Sequence, residues 1–344
     1  MLKHRWVHAL GLSVLLVCAA CASGEDAASA DGAKSAERRF MSVGTAPAGG
    51  AFFIVGSAIA DVLDSNAGDH GWSVNAETTK GSQENIRRVA AGELELALAN
   101  SAISYFASRG AEGWGEAADI RAVMTLAPNV ALFIAPEGGV ETLADLKGKR
   151  VYLGPSGAGF HFFVRPLLAA HGVDYDDLVA IHGGQGQAVD YLSDGSADAA
   201  FLGGAIPTAS ITQAATSQKI HFIPFSADSI GQATEEFLFF RPATIPAGTY
   251  RGLDADYDGI DVGSMHLITS AETDEELVYQ LTKTLYENRD EVAAKHPAGK
   301  AINPKNAARD TGTSFHAGAR RYYQEIGIWP TDALKDSPSG DEAD

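Results

Sequence analysis

The chain has 344 residues, 45% hydrophobic and 20% charged, with 37 glycines. That content supports a packed globular core and excludes a mainly disordered protein. A net charge of −18 with no basic patch excludes nucleic acid and anionic membrane surfaces as general partners.

At the N-terminus, Lys3 and Arg5 precede a short apolar run over 9–17, too brief to cross a membrane. Residues 1–20 read as an export signal. Cys18-Ala19-Ala20-Cys21 resembles a bacterial lipobox with Cys21 as the acylated residue; a plain signal cut near Ala20 or Ala22 is the alternative. These are the only two cysteines, so cleavage before Cys21 leaves no pair for a disulfide. Residues 21–39 read as a lipid-anchored disordered linker and 331–344 as a disordered tail, both small and polar.

In chain order, residues 40–63 form an apolar strand, a Gly-rich turn and an amphipathic helix. A strand over 72–78 follows, and Gly81-Ser82 leads into a helix over 83–91 with Ile86, Val89 and Ala90 on one face. Residues 94–99 read as a short buried strand with a helix after it through Tyr105. Strands are expected over 120–126 and 130–135, then a turn of helix at 143–148 and a strand at 150–154. The helix over 160–171 stops at Gly172, a common C-terminal signal. A helix over 187–193, strands at 199–203, 220–224 and 263–269, and helices over 274–289 and 315–326 complete the pattern. This alternation predicts α/β architecture with largely parallel sheets.

Three places repeat one design of strand, Gly/Ser/Thr loop and helix start: 44–50, 79–82 and 154–159. Such a loop aims backbone N–H groups and the positive end of a helix at one spot, which favours an anion. A single loop of this kind is often a plain α/β connection; three suggest convergence on a small anionic or zwitterionic ligand. Enzyme readings fit poorly. The third loop has the glycine spacing of a phosphate loop, but Phe160-His161 replace its Lys and Ser/Thr. Ser156 is one residue off a nucleophile elbow, and His161, His182 and His316 are candidate bases by residue type only. Asp254, Asp256 and Asp258 start like a calcium loop, but Met265 stands where its bidentate acid belongs. No metal and no cofactor is expected. Phe52 and Phe160 directly follow Gly-containing turns, which makes them candidates for a ligand wall.

Five stretches, VGTAPAGGAFF, TTKGSQENIRRVAAGELELALANS, LADLKGKRVYLGPSGAG, DGSADAAFLGGAIP and FHAGARRYYQEIG, together resemble the TAXI family of solute-binding proteins of TRAP transporters. The resemblance spans about 40–330. It implies a type II periplasmic-binding-protein fold, with two α/β lobes joined by crossover strands and a ligand cleft between them. Lobe I is expected over 40–134 plus 243–330, and lobe II over 135–242. Thr45, Gly49, Gly50, Thr79, Ser82, Asn85, Asn100 and Ser101 would then face Ser156, Gly157, Gly159, Gly204 and Pro207 across the cleft. Thr45, Ser82 and Asn85 would bond the ligand's carboxylate or amine. N–H groups of 157–160 would meet it from the other lobe, Phe52 and Phe160 would pack its apolar part, and His161 would hydrogen-bond it or a water. The implied role is not enzymatic. It is the capture of a small organic acid or amino-acid-like ligand outside the cytoplasm and its delivery to TRAP permease subunits, from a membrane held by the lipid anchor. Where the family usually has Tyr near Phe52, Thr at Phe160 and a polar residue at Ala102, this chain is apolar, which implies a ligand less polar than glutamate. A ligand-sensing lipoprotein of the same fold and a secreted serine hydrolase are the other readings.

Overall fold

Alternation of buried and exposed side chains along Arg39–Gly44 (β1) turns Met41 and Val43 into the core. The computed structural model describes residues 39–48, 50–111 and 113–330; the signal, Cys21, the linker, the tail and Gly49 lie outside the described residues. The other strands are β2 (Trp72–Glu77), β3 (Leu96–Asn100), β4 (Ile120–Thr125), β5 (Val130–Pro136), β6 (Arg150–Tyr152) and β7 (Val179–Ile181). They are followed by β8 (Ala199–Gly204), β9 (Ile220–Ile223), β10 (Phe240–Ile245), β11 (Tyr257–Val262) and β12 (Met265–Ser270).

The strands form two sheets, ordered β2-β1-β3-β12-β4 and β10-β11-β5-β8-β6-β7, with β9 also on β5. Helices lie between strands as the alternation predicts, but the sheets are mixed rather than largely parallel. Among the described strands only β1–β2, β1–β3, β6–β7 and β6–β8 pair in parallel. The chain re-enters each sheet from the other through a tight passage, at 126–129 and at 263–264, so β5 and β12 run against their neighbours. The expected lobe limits at 134 and 242 fall inside β5 and β10, both of which belong wholly to the second sheet.

One apolar cluster fills the first sheet against the helices Ala51–Ser65 and Glu275–Glu287. A second is continuous from Ile86, Ile103 and Ala107 beside the first sheet to Phe133, Phe163 and Phe201 in the second. An aromatic seam closes the two halves on one side. Phe162 stacks on Phe106 and on Trp114, each at 5.7 Å between ring centroids, and Phe239 lies 5.2 Å from Tyr105 and 5.7 Å from Phe106.

A polar network ties the two passages together. Asp261 is buried; its Oδ1 accepts from the Asn129 N–H (3.0 Å) and its Oδ2 from the Ser264 hydroxyl (2.6 Å). Arg309 donates to the Ser264 hydroxyl and to Asn306 Oδ1, and the Asn306 amide donates to Thr125 O, Leu126 O and Ala301 O. Burial pushes the Asp261 carboxyl above its ordinary value, while those two hydrogen bonds and the charges of Arg309 and Arg241 pull it back. Nearby, His266 Nε2 shares a 2.7 Å hydrogen bond with Ser104 Oγ, and burial pushes the imidazole down to about 3.

Two predictions follow from this network. Asp261→Ala strands Arg309 without its counter-charge and should cost on the order of 3 kcal/mol in urea unfolding. Asp261→Asn keeps an acceptor for Asn129 and should cost clearly less; equal losses for the two would show that the charge is irrelevant. The second concerns acid. His266 is neutral in the fold but takes a proton in the unfolded chain below about pH 6.5, so its contribution declines as pH falls from there toward 3. The slope is about 1.4 kcal/mol per pH unit for one proton. Unfolding curves at pH 7 and 5 should show His266→Gln less acid-sensitive than wild type by about one proton. Identical slopes would contradict this.

Candidate functional site

In both sheets the Gly-rich loops follow the C-terminal ends of parallel strands, where α/β sheets bind ligands. The first loop follows β1. Gly44 is required there, because a Cβ would sit 2.7 Å from Leu94 Cδ1 and 2.8 Å from Asn85 Oδ1. Thr45 donates both its N–H (2.9 Å) and its hydroxyl (2.8 Å) to Glu77 O. Its own carbonyl accepts from Thr79 Oγ1 at 3.1 Å and from the Asn85 amide at 2.7 Å. The first and second loops are therefore one bonded unit.

The second loop turns at Gly81 (φ +112°), whose N–H donates to Thr79 Oγ1 at 3.1 Å. Ser82 Oγ accepts from Asn100 N at 3.0 Å. Asn100 Oδ1 caps the helix Ser101–Ala107 through the N–H groups of Ala102 and Ile103, and its amide donates to Gly263 O at 2.7 Å. Asn85 spends its amide on Thr45 O and Leu98 O. The side chains expected to hold a ligand are thus buried and bonded to the chain's own backbone. Ser101 Oγ and Asn85 Oδ1 are buried without a hydrogen-bond partner.

The third loop meets the second across the two sheets: a Cβ at Gly81 would lie 3.6 Å from Ala158 Cβ, and one at Gly159 would lie 3.1 Å from Ile103 Cδ1. Ser156 and Gly157 are exposed at its tip. Phe160 turns back onto Gly154 and packs on Phe163, so it is a prop under the loop. Ala102 is fully buried in its helix. Neither residue therefore carries the polarity argument made from it. His161 is half-buried, packs at a tilt against Phe162 and is pushed down mainly by burial, with the charges of Arg165 and His182 adding to it. His182 Nδ1 lies 3.0 Å from Gly154 O. Among the described residues no histidine bonds to Ser156 and no three His, Cys, Asp or Glu side chains form a metal-holding group. Asp256 accepts from Ala247 N, and Asp258 lies within β11.

The helices behind the three loops, Ala51–Ser65, Ser82–Ala90 and His161–Ala169, all begin without a side-chain cap. Elsewhere Ala227–Glu236 and Glu275–Glu287 are capped by Ser226 and Asp274, whereas Ala209–Ser217 and Arg289–Lys295 also start without a side-chain cap. Uncapped starts keep the dipole's positive end toward the loops, although at the third Phe162 N and Phe163 N already donate to Gly159 O and Phe160 O. From the second sheet, Gly204 ends β8, and Gln185 braces that end by donating to Gly203 O at 3.2 Å while accepting from Ser210 Oγ at 2.9 Å.

Beside the end of β8 lies a cavity of about 400 Å³ lined by Ala127, Pro128, Val130, Ala205, Ile206, Pro207, His296, Pro297, Ala298 and Ala301. Sequence reasoning placed only Pro207 here. The segment 296–301 reads HPAGKA, which carries no periodicity and looks like an ordinary loop. A larger hollow, about 500 Å³, is lined by Pro136, Asp145, Lys149 and Asp198 among others. It sits where β5 ends and β8 begins, the opposite end of the second sheet from the loops, and so is not the site.

Comparison with solved structures places these loops in a known architecture. A Bordetella bronchiseptica RB50 protein superposes with TM-score 0.51 at 16% identity, over 87% of this chain and 92% of that one. The periplasmic binding protein BugD gives 0.50 at 17%, over 85% and 95%. A chloride-bound Xanthomonas citri protein gives 0.50 at 9%, over 84% and 97%. At these identities the likeness establishes the mixed α/β, two-sheet periplasmic-binding-protein fold. Residues 43–327 match the NMT1-like family, and the chain belongs to that family.

Proposed function

We propose that this protein is an extracytoplasmic solute-binding protein that captures a small carboxylate or amino-acid-like solute and hands it to a TRAP-type secondary permease. The observation that carries the reading is the meeting of three uncapped helix starts at loops that touch across two sheets. The polar side chains of the loops are consumed in fixing their shape, so the donors offered to a solute are mainly backbone N–H groups. Such fixed dipoles suit a carboxylate. The resemblance to TAXI proteins supports the permease class, and the lipobox-like Cys21 supports a periplasmic protein anchored by lipid to a membrane. The residues proposed to meet the solute are the loop backbones at Thr45–Gly50, Gly81-Ser82 and Ser156–Gly159, together with Phe52, Ser101, His161 and Gly204. The passages at 126–129 and 263–264 are proposed as the lobe boundaries and hinge.

A thermal-shift screen with amino acids, keto acids and short or branched carboxylates tests the reading. A true ligand at 100 times its dissociation constant should add roughly 2.7 kcal/mol of apparent stability, and a flat screen would sink the proposal. The charge of the solute is tested at Gly157, which is exposed with φ +78°, where Asn and Asp are the best-tolerated side chains. By titration calorimetry Gly157→Asp should bind an anionic solute about tenfold more weakly than Gly157→Asn, the effect of one charge about 6 Å away in a solvated setting with a dielectric of roughly 40. Equal affinities for the two variants would argue against an anion at this loop.

A further inference from the structure

The walls of the cavity at the end of β8 point to a feature of the solute that the loops do not specify. Nine of its ten lining residues are apolar, and the tenth, His296, already accepts the Ala298 N–H on Nδ1 at 3.1 Å. Burial pushes the His296 imidazole below its ordinary value, so at pH 7 the wall carries no charge. The cavity has the volume of a small-molecule site, at the lower end of a range of about 300–1,000 Å³.

Its position links it to the loops. Val130 is the strand partner of Gly204, and Ala205 continues directly from that glycine. Ala205, Ala301 and Phe52, the last from the helix behind the first loop, all pack on the same apolar cluster. The lining comes from the passage at 127–130, from the second sheet at 205–207 and from the first-sheet half at 296–301. The cavity is therefore shaped by how the two halves close. An apolar group seated in it would favour the closed arrangement, while a second carboxylate there would be desolvated with no partner.

We infer that the solute is a monocarboxylate with a hydrocarbon or aromatic tail, its carboxylate at the glycine loops and its tail in the cavity walled by Val130, Ala205, Ile206, Pro207 and Ala301. This rests on the solute-binding reading of the cleft. It excludes dicarboxylates and glutamate as the preferred solutes.

Calorimetry with acetate, butanoate, hexanoate and 3-phenylpropanoate, against glutarate and glutamate, tests the inference on the full mature chain. Affinity should rise about three- to fourfold per methylene from acetate to hexanoate, and hexanoate should bind at least tenfold more tightly than glutarate. Ala301→Leu, which fills the cavity, should reduce the hexanoate-to-acetate ratio at least tenfold. Ile206→Thr, which places a hydroxyl in the wall, should reduce it in the same direction, and unliganded melting curves establish that each variant is folded. Tight glutarate or glutamate binding with no gain along the monocarboxylate series would overturn the apolar tail and leave the solute-binding reading standing. A gain per methylene that survives in both variants would place the tail elsewhere. No binding by any acid in either series would overturn both.

Discussion

The Asp261 carboxylate sits at the one place where everything else in the molecule has to agree. Both passages of chain between the sheets reach it, one through the Asn129 N–H and the other through Ser264. Arg309 and Asn306 then carry the restraint into the first-sheet half, where Asn306 also fixes Ala301 in the cavity wall. An ion buried this way gives little net stability, because its desolvation offsets most of the attraction. What it supplies is geometry. Each partner accepts only one arrangement of the two passages, and the spacing of the loops across the sheets follows from it.

The same division between geometry and binding runs through the loops. Thr45, Thr79, Ser82, Asn85 and Asn100 are the residue types one expects to grip a polar ligand, yet their hydrogen bonds close on neighbouring backbone. This follows from burial. A polar side chain beneath a tight Gly turn has no water to bond, so it must be satisfied by the chain itself. The consequence is favourable for recognition. Loops held from below present their N–H groups in fixed directions, and helix ends without caps need no side chain to be displaced before a carboxylate arrives.

Much of this was legible in the sequence, and the limits are physical. The glycines that mark the loops are readable because Gly81, Gly154, Gly157 and Gly159 adopt positive φ, which few other residues tolerate. The buried strands are readable because their apolar runs are short and bounded by turns. The direction of β5 and β12 is not, since nothing local in an apolar strand records which sheet its predecessor left. The strand β10 is masked by Pro242, which its edge position tolerates. Phe160 and Phe52 look alike in sequence, each after a Gly turn, yet only tertiary packing turns Phe160 onto Gly154. Asp261 has no local signal, because it is the last of four acids over 254–261 and reads like its exposed neighbours.

The seam and the cavity make the two sides of the cleft unequal, and magnitudes decide what that means for opening. Six aromatic pairs cross the seam, between Tyr105, Phe106 and Trp114 on one half and Phe162, Phe237 and Phe239 on the other. At roughly 0.5–1.5 kcal/mol each beyond area burial, separating all of them costs about 3–9 kcal/mol before any exposed apolar surface is counted. The cavity at the end of β8 is walled mainly by alanines and prolines around open space, without aromatic pairs. A rotation that keeps the aromatic seam packed and widens the cavity side is therefore the cheaper motion. It would bend the two passages at 126–129 and 263–264, the proposed hinge, against the Asp261 network. In that geometry an apolar tail enters last and is the first part of the solute to lose its surroundings on reopening. Closure and tail burial are then one free-energy step.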